Sequence, residues 1–421
     1  MIKRDLFYKL RDHLPEKEMT FVVGPRQAGK TTLLLLLKDD LDKKGAKTVF
    51  LNLDLERDRR FFISQDDLVN KIQLEIGENH GYVFIDEIQR KENAGLFLKG
   101  IYDMNLSYKF IVSGSGSLEL KEKIHESLAG RKLMFELSTM TFSEFVNFKT
   151  DYKYEDKLRD FFEIDTIKTQ QFLKEYLEFG GYPRVVLSKT SQNKRAILDE
   201  IFQSYLERDI TYLLGVTKRE EFTNLVKVMA SQVGNLTNYS ELSSTLGLSV
   251  QTVKHYLWYL EKTFIIARIM PFHRNFRKEI THAPIFYFYD LGLRNYALKE
   301  FGDILISGYS GYLFQNFVYQ LLYRKLEHSA ASLHFWRTQD KTEVDFIVDA
   351  GRKIIPIEVK YKSLKTLEIA RSLRSFIDKY HPQEAFIIHL GERKEMVFKR
   401  TKIIGLPFYE LLVKSFQEEL N

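Results

Sequence analysis

Residues 24–31 of this 421-residue chain read Gly24-Pro25-Arg26-Gln27-Ala28-Gly29-Lys30-Thr31. This stretch follows the pattern G-x-x-x-x-G-K-[ST] and lies between an apolar run at residues 21–23 and a leucine-rich segment. Glycines let the backbone wrap around a phosphate, so that successive N–H groups and the next helix N-terminus point at the anion. The sequence therefore predicts a nucleotide site at residues 24–31 that extends to Thr32. Lys30 would contact the β- and γ-phosphates, and Thr31 would complete Mg²⁺ coordination.

Four short apolar runs predict the strands of a parallel sheet around this loop. They occupy residues 21–23, 49–51, 83–85 and 110–112. Each run is almost entirely hydrophobic, as expected for strands that helices cover on both faces. The alternation of such runs with helical segments over residues 18–137 is typical of an α/β nucleotide-binding fold.

The third apolar run ends in two carboxylates, Asp86 and Glu87. Because ligands of open α/β sheets bind at the carboxyl ends of the strands, we expect both side chains beside the phosphate loop. Asp86 would hold Mg²⁺ through water, and Glu87 would orient and deprotonate the attacking water. With Lys30 and Glu87 as catalytic residues, the sequence predicts hydrolysis of ATP to ADP and phosphate rather than binding alone.

Two further catalytic candidates follow along the chain. After the fourth apolar run comes the tract Ser113-Gly114-Ser115-Gly116-Ser117. A hydroxyl there, such as that of Ser115, could reach the γ-phosphate or the lytic water as a sensor, but the tract also fits a flexible strand-to-helix turn. Arg131 is a candidate for stabilising the transferred phosphate, in its own chain or in a neighbouring subunit. An ordinary surface arginine is the alternative.

Composition limits the class of protein. Hydrophobic residues make up 44% of the chain and aromatic residues 14%, enough for several cores, and the length predicts about two or three domains. The absence of cysteine excludes disulfides, thiolate metal sites and cysteine nucleophiles. A net charge of +6 permits a nucleic-acid partner without requiring one. Without a signal-like N-terminus or an apolar run of about 20 residues, we expect a cytoplasmic protein with no membrane contact.

Residues 238–290 carry the pattern of a winged helix-turn-helix. Gly247 would allow the turn and Ser249 would cap the second helix. The internal core would consist of Leu242, Leu246, Leu248, Val253 and Leu257. The second helix would offer DNA four polar side chains, Gln251, Thr252, Lys254 and His255. Further phosphate contacts would come from Arg268, His273, Arg274, Arg277 and Lys278. Winged helices also bind proteins or dock within their own chain, in which case Trp258 and Tyr259 simply pack.

A last block over residues 311–389 predicts the order helix, three strands, helix, strand. Residues two apart in a strand share a face, which pairs Glu343 with Asp345 and Glu358 with Lys360. Asp345, Glu358 and a backbone carbonyl at Val359 offer oxygen ligands to Mg²⁺, and Lys360 could act on water against a phosphodiester. A surface ladder of opposite charges is the alternative.

This layout resembles the D…E-x-K signature of the PD-(D/E)xK nuclease superfamily. The resemblance leads us to expect glutamate on the preceding helix, where this chain has Gln315. An amide still makes hydrogen bonds but carries no charge, so the affinity for a metal should fall. Nuclease activity and a site that only binds nucleic acid therefore both stay open.

Several motifs together resemble a prokaryotic AAA-type ATPase family, grouped with archaeal ATPases, whose C-terminal half is a domain of unknown function. Beside the phosphate loop, the matching stretches are Phe84-Ile85-Asp86-Glu87-Ile88-Gln89, Ser127-Leu128-Ala129-Gly130-Arg131, Phe142-Ser143-Glu144-Phe145, Gly180-Gly181-Tyr182-Pro183, Tyr205-Leu206-Glu207-Arg208-Asp209 and Glu343-Val344-Asp345-Phe346. The resemblance covers essentially the whole chain. It implies an ATP-binding core with a helical lid, and it places Pro183 near the adenine. It implies no particular substrate.

The sequence thus predicts an α/β P-loop AAA-type core at residues 1–140 and a helical lid at 141–235. A winged helix-turn-helix at 236–295 and a nuclease-like α/β domain at 300–421 would follow. ATP and Mg²⁺ would be the cofactors and DNA the expected partner, with a homo-oligomer left open. In this interpretation an ATPase couples its nucleotide state to DNA binding or processing. The alternative is an ATP-dependent conformational switch, a signalling or defence regulator that binds a protein and has an inactive nuclease-like domain.

Overall fold

The computed structural model describes residues 2–115, 128–206, 210, 218–273, 283–302, 310–327, 329–338, 340 and 342–412. Its contacts divide the chain into two compact units. Unit 1 comprises Met1–Phe148, Gly181–Arg219 and His255–Ile265, and unit 2 comprises Lys149–Gly180, Glu220–Lys254 and Ile266–Asn421. The division into four domains stays a prediction.

The helices of the described residues are, in chain order, α1 (Asp5–Asp12), α2 (Lys30–Lys43), α3 (Glu56–Arg59), α4 (Gln65–Ile76), α5 (Ala94–Asp103), α6 (Phe142–Lys149), α7 (Leu158–Ile164), α8 (Thr166–Phe179), α9 (Pro183–Leu187), α10 (Ser191–Ser204), α11 (Arg219–Ser231), α12 (Tyr239–Leu246), α13 (Val250–Lys262), α14 (Leu291–Leu298), α15 (Ser310–Leu326) and α16 (Arg371–Tyr380). Short 3₁₀ turns occur at Arg60–Phe62, Ile88–Arg90, Glu155–Lys157 and Phe408–Leu412. No helix within these residues is long and apolar enough to cross a membrane.

The strands of the same residues are β1 (Met19–Gly24), β2 (Thr48–Asn52), β3 (Gly81–Asp86), β4 (Tyr108–Ser115), β5 (Lys132–Glu136), β6 (Ile266–Pro271), β7 (Ile285–Phe288), β8 (Ser332–Arg337), β9 (Glu343–Asp349), β10 (Ile354–Val359), β11 (Glu384–His389), β12 (Lys394–Phe398) and β13 (Thr401–Pro407). They form one sheet of five strands and one of eight.

Unit 1 is built on the five-stranded sheet, with the strand order β2-β3-β4-β1-β5 and all neighbours parallel. The four predicted apolar runs are β1 to β4. Their side chains fill a core with α1 and α2, in which Val22, Leu34 and Phe84 are completely buried. The parallel α/β class predicted for this region is therefore confirmed. The edge strand β5 was not predicted, because it carries charged residues at both ends, Lys132 and Glu136.

Parallel pairing brings the carboxyl ends of these strands to one edge of the sheet. Gly24 pairs with Ser115, and Asn52 pairs with Asp86. At this edge Gly24 passes so close to the chain after β5 that a Cβ atom on it would lie 2.0 Å from the carbonyl oxygen of Leu137. A side chain cannot fit in that distance, so the first glycine of the phosphate loop is required for packing as well as for backbone freedom.

Unit 2 contains the eight-stranded mixed sheet, in the order β12-β13-β11-β10-β9-β8-β6-β7. The elements α15, β8, β9, β10, α16 and β11 follow in the predicted order, although α16 begins only at Arg371 rather than near residue 366. Strands β6 and β7 pair antiparallel as a hairpin. Since Met270 of β6 also pairs with His334 of β8, this hairpin belongs to the same sheet as the C-terminal strands.

Candidate nucleotide site and C-terminal acidic cluster

The phosphate loop connects β1 to α2 as the motif predicts. Gln27 and Gly29 have left-handed backbone angles, φ 58° and 97°, and Gly29 is the N-cap of α2. Lys30 is 5% exposed, and its Nζ donates hydrogen bonds to the carbonyl oxygens of Gly24 at 3.0 Å and Pro25 at 2.9 Å. The ammonium group therefore lies inside the curve of the loop. Of the other predicted loop residues, Arg26 is half-buried and Thr32 is exposed on the first turn of α2.

Asp86, at the end of β3, is the centre of the hydrogen bonds at this edge. Its side chain is completely buried. One carboxylate oxygen accepts hydrogen bonds from Thr31 Oγ1 at 2.8 Å and from Asn52 Nδ2 at 3.3 Å. The other oxygen accepts a hydrogen bond from the hydroxyl of Ser113. Because each donor comes from a different element, this one carboxylate joins α2, β2 and β4.

The predicted Mg²⁺ ligands fit the ion in kind. The Thr31 hydroxyl and the Asp86 carboxylate are hard oxygen donors in direct contact, at 2.8 Å, beside the loop that would hold the phosphates. Mg²⁺ typically binds through one or two such side chains together with substrate phosphates and water.

Glu87 follows Asp86 in a left-handed conformation, with φ 59° and ψ 42°, which turns its side chain away from the strand direction. Its N–H donates to Ser113 Oγ at 3.3 Å, and its carboxylate accepts a hydrogen bond from Gln89 Nε2. The pKa of Glu87 is raised, because burial is the largest influence on it. The charge of Asp86 also raises this pKa, and the charge of Lys30 lowers it in part. A carboxylate with a raised pKa is a stronger base, which suits proton removal from water.

Asn52 is a site residue that the sequence did not single out, and Ser113 belongs to the predicted sensor tract although Ser115 was the residue chosen from it. Ser113 hydrogen-bonds both to Asp86 and to the Glu87 backbone, whereas the side chain of the predicted sensor, Ser115, lies outside the described residues. Asn52 directly follows the apolar run at residues 49–51, and Ser113 directly follows the run at residues 110–112.

Arg131 does not lie at the phosphate loop of its own chain. Its carbonyl accepts a hydrogen bond from the N–H of Met19, at the amino end of β1, and β5 then runs parallel to β1. Its guanidinium forms an ion pair with Asp103 at 2.8 Å. Arg131 is therefore at the sheet edge opposite Gly24, and the predicted role in its own chain is wrong. The predicted role in a neighbouring subunit stays untested.

The predicted lid residue Pro183 does lie beside the loop. It opens α9, and its Cγ is 3.9 Å from the position that a Cβ atom on Gly29 would occupy. The next residue, Arg184, donates a hydrogen bond to the side-chain oxygen of Gln27 at 2.9 Å and forms an ion pair with Glu200 at 2.6 Å. Polar contacts thus hold α9 against the phosphate loop. The matching motif residues Ser127, Glu207, Arg208 and Asp209 lie outside the described residues.

Helices α12 and α13 occupy the two helical segments of the predicted helix-turn-helix, whose identity as a winged helix stays a prediction. Gly247 ends α12 with φ 64°, and Ser249 caps α13 by accepting a hydrogen bond from the N–H of Thr252 at 3.1 Å. Of the predicted core, Leu246 is half-buried and the others are buried: Leu242, Leu248, Val253 and Leu257.

The candidate DNA-contacting side chains lie near the start of α13. Gln251, Lys254 and His255 are exposed, and the Lys254 ammonium lies 5.3 Å from the centre of the Tyr239 ring. Arg268 is exposed and His273 half-buried. The remaining candidates, Arg274, Arg277 and Lys278, lie outside the described residues.

In unit 2, four of the five predicted C-terminal site residues meet in a small cluster. The pairing of β9 with β10 is regular to Ile357 opposite Phe346. Beyond it, one oxygen of Asp345 accepts the N–H of Val359 at 2.7 Å, and the other accepts the side-chain amide of Gln315 at 2.9 Å. We call Gln315, Asp345, Glu358 and Lys360 the acidic cluster.

Glu358 and Lys360 form an ion pair at 2.6 Å, and Glu358 is 4% exposed. Glu343 instead forms an ion pair with Arg337 at 2.9 Å. Burial, together with the charge of Glu358, raises the pKa of Asp345 to about 7 against the lowering effect of the Val359 N–H. Within the described parts of the chain, no group of three or more histidine or carboxylate side chains is arranged to hold a metal ion.

Sequence comparison identifies three regions. Residues 16–146 match the AAA domain family, residues 170–303 match a domain of unknown function, DUF8612, and residues 310–409 match another, DUF4143. The stretch that matches the AAA domain family contains the phosphate loop, Asp86 and Glu87. Neither C-terminal match carries a described function.

Similar whole proteins are known from distant organisms. An uncharacterized protein of Methanocaldococcus jannaschii, MJ1544, is 27% identical over 87% of this chain and 79% of its own length. The uncharacterized protein Rv2008c of Mycobacterium tuberculosis is 26% identical over 99% of this chain and 86% of its own. The Walker-type ATPase PABY2304 of Pyrococcus abyssi is a structural match at a TM-score of 0.49 and 13% identity, covering 71% of this chain and 96% of that one. A TM-score this low does not establish a common fold.

The raised pKa of Asp345 predicts a pH-dependent effect of Asp345→Asn. The folded protein keeps this proton up to about pH 7, whereas the unfolded chain loses it near its ordinary pKa of about 4, so stability falls as pH rises between these values. Asparagine removes the cost of the charged form. We expect the unfolding free energy of Asp345→Asn, compared with that of the original protein at the same pH, to be higher at about pH 8 than at about pH 5. The advantage of the variant should grow by about 2 kcal/mol between about pH 5 and about pH 8.

The measurement is urea unfolding in chelator at both pH values. Asp349→Asn on the same strand is the matched control, since that carboxylate accepts the N–H of Gly351 in the turn after β9. An equal gain at the two pH values in Asp345→Asn would contradict the assignment.

Proposed function

We propose that unit 1 binds ATP with Mg²⁺ and hydrolyses it to ADP and phosphate. The observation that carries the proposal is the contact of Thr31 with Asp86 at 2.8 Å, at the sheet edge that also holds the phosphate loop and Glu87. The match of residues 16–146 to the AAA domain family supports the same activity.

Each residue has a role that follows from its place. Lys30 leaves the carbonyls of Gly24 and Pro25 to neutralise the phosphates, since a charged oxygen is a stronger acceptor than a carbonyl. Thr31 and Asp86 would hold Mg²⁺, which would supply charge neutralisation at the phosphate oxygens. Glu87, oriented by Gln89, accepts the proton of the attacking water. Ser113 holds the carboxylate of Asp86 and the backbone of Glu87 in a fixed relation.

Glu87→Gln tests this assignment. The amide keeps the shape of the side chain but cannot accept a proton, so we expect kcat for ATP hydrolysis to fall by about 10²–10³-fold with ATP affinity little changed. Turnover is measured as phosphate release and binding by calorimetry. Lys30→Ala is the companion variant and should lose binding itself. An unchanged kcat in Glu87→Gln would remove Glu87 from catalysis.

We propose further that α13 contacts DNA. The support comes from three exposed polar side chains on the first turns of α13, those of Gln251, Lys254 and His255. The turn at Gly247 and the cap at Ser249 come directly before these residues in the chain. Such a helix start is what helix-turn-helix proteins place in the major groove. In this proposal the nucleotide state of unit 1 controls the DNA contact.

Lys254→Ala tests the DNA contact. A lysine that neutralises one phosphate releases counterions on binding, so its loss should weaken duplex binding on every sequence and reduce the slope of log affinity against log salt by about 1. Fluorescence anisotropy between about 50 mM and about 200 mM salt gives that slope. Lys44→Ala, a solvent-exposed lysine of unit 1 paired with Asp40, is the control. If the original protein binds no DNA at all, the alternative of an ATP-dependent switch for a protein partner is favoured.

For unit 2 we propose an acidic cluster that does not cleave DNA. Gln315 donates its amide N–H to Asp345, which occupies an oxygen that a metal ion would need. The cluster then offers a metal two carboxylates, Asp345 and Glu358, and the second is already neutralised by Lys360. These contacts favour the interpretation in which the nuclease-like domain is inactive as a nuclease.

Incubation of plasmid DNA with the protein and Mg²⁺ or Mn²⁺ tests this part. We expect the original protein to leave the DNA intact, because the cluster lacks a third carboxylate. Gln315→Glu supplies that carboxylate and should raise the affinity for Mn²⁺ by about tenfold, the effect of one added ligand charge, measured by calorimetry. Cleavage by the original protein that disappears in Asp345→Ala would instead identify a nuclease.

A further inference from the structure

Arg4 is a buried cation behind the phosphate loop, outside the residues that match the AAA domain. Its side chain is 7% exposed. Nη1 donates to the carbonyl oxygen of Ala28 at 2.9 Å, Nη2 donates to that of Ser138 at 2.7 Å, and Nε donates to Glu144 at 3.1 Å. The three nitrogens of one guanidinium thus reach a loop, the chain after β5 and a helix.

The partner of Arg4 is held as firmly as Arg4 itself. Glu144 is 4% exposed, and it accepts the backbone N–H of Asp5 at 2.7 Å and that of Thr141 at 2.9 Å in addition to its bond from Arg4. These N–H groups belong to the starts of α1 and α6. Because the carboxylate neutralises the guanidinium, Arg4 adds little net charge beside the phosphates, and its effect on a nucleotide must be geometric.

The geometric effect follows from the planarity of the peptide bond. In a trans peptide the carbonyl oxygen of one residue and the N–H of the next point in opposite directions. Arg4 holds the carbonyl of Ala28 on the outer side of the loop. The N–H of Gly29, which shares that peptide, is therefore directed to the inner side, where Lys30 Nζ also lies.

We propose that Arg4 is a positioning residue of the nucleotide site, which fixes the Ala28–Gly29 peptide so that the Gly29 N–H donates to a bound phosphate. This inference rests on the proposed ATP binding and adds a residue to it. Lysine does not replace Arg4, because one ammonium point cannot serve three acceptors that a planar guanidinium reaches from separate nitrogens.

The test compares ADP binding by calorimetry in three proteins of full length. They are the original protein, Arg4→Lys, and the double variant Arg4→Gln with Glu144→Gln. The double variant removes the buried carboxylate that a single change would leave unpaired, so it separates loss of positioning from loss of folding. Lys43→Arg is the matched control, since that cation is also paired with a carboxylate in unit 1, Asp39, but lies in the last turn of α2.

We expect the Kd for ADP to rise about tenfold in both Arg4 variants, the value of one charge-assisted hydrogen bond to phosphate, and to stay unchanged in Lys43→Arg. The kcat at saturating ATP should change by less than about threefold, because Arg4 does not touch the attacking water. The melting temperature of the double variant should be close to that of the original protein.

A double variant that melts like the original protein and binds ADP equally well would show that Arg4 only supports folding, which overturns the proposal. Failure of both Arg4 variants to fold would overturn it in the same way. Should the original protein bind neither ADP nor ATP, the proposed function fails instead, and this outcome is seen before any variant is compared.

Discussion

The structure of unit 1 depends on one buried carboxylate. Asp86 is completely enclosed, and an uncompensated charge there would be costly. Three side chains satisfy it, Thr31 from α2, Asn52 from β2 and Ser113 from β4. Each donor has to reach the same two oxygens, so the carboxylate fixes the relative height of three elements at the edge of the sheet where a nucleotide would bind.

Much of this arrangement could be predicted, because it follows from local patterns. A buried parallel strand is a short apolar run, and the phosphate loop has a fixed spacing, so β1 to β4 and the places of Lys30, Thr31 and Asp86 were available from the sequence. Asn52 was not, since a single polar residue at a strand end has no spacing that distinguishes it, and Ser113 was available only as one hydroxyl of the sensor tract. Arg4 was beyond reach for a different reason: its partner Glu144 is separated from it by 140 residues.

In unit 2 the individual elements were also predictable from local patterns, whereas the pairing of distant strands in the sheet was not. The order of elements from α15 to β11 was predictable, because each has its own period. The joining of β6 to β8 was not, since pairing of distant strands leaves no local mark in an apolar run. The edge strand β12 was missed because its side chains alternate between exposed and half-buried and include two charges, Lys394 and Glu395, as suits a strand with one solvent-facing edge.

The phosphate loop and the acidic cluster differ in charge, and they therefore differ in the kind of ligand that each can bind. At the phosphate loop, Lys30 and a helix N-terminus offer positive charge to a nucleotide of the proposed kind, and the carboxylate of Asp86 is covered by neutral donors. In the acidic cluster, two carboxylates share one lysine, and proton uptake at Asp345 relieves part of the excess. A phosphodiester approaching that cluster meets negative charge unless a cation or a proton is present. The proposed DNA contact therefore lies at the exposed start of α13, where the ammonium of Lys254 lies over the ring of Tyr239 rather than in a cluster of carboxylates.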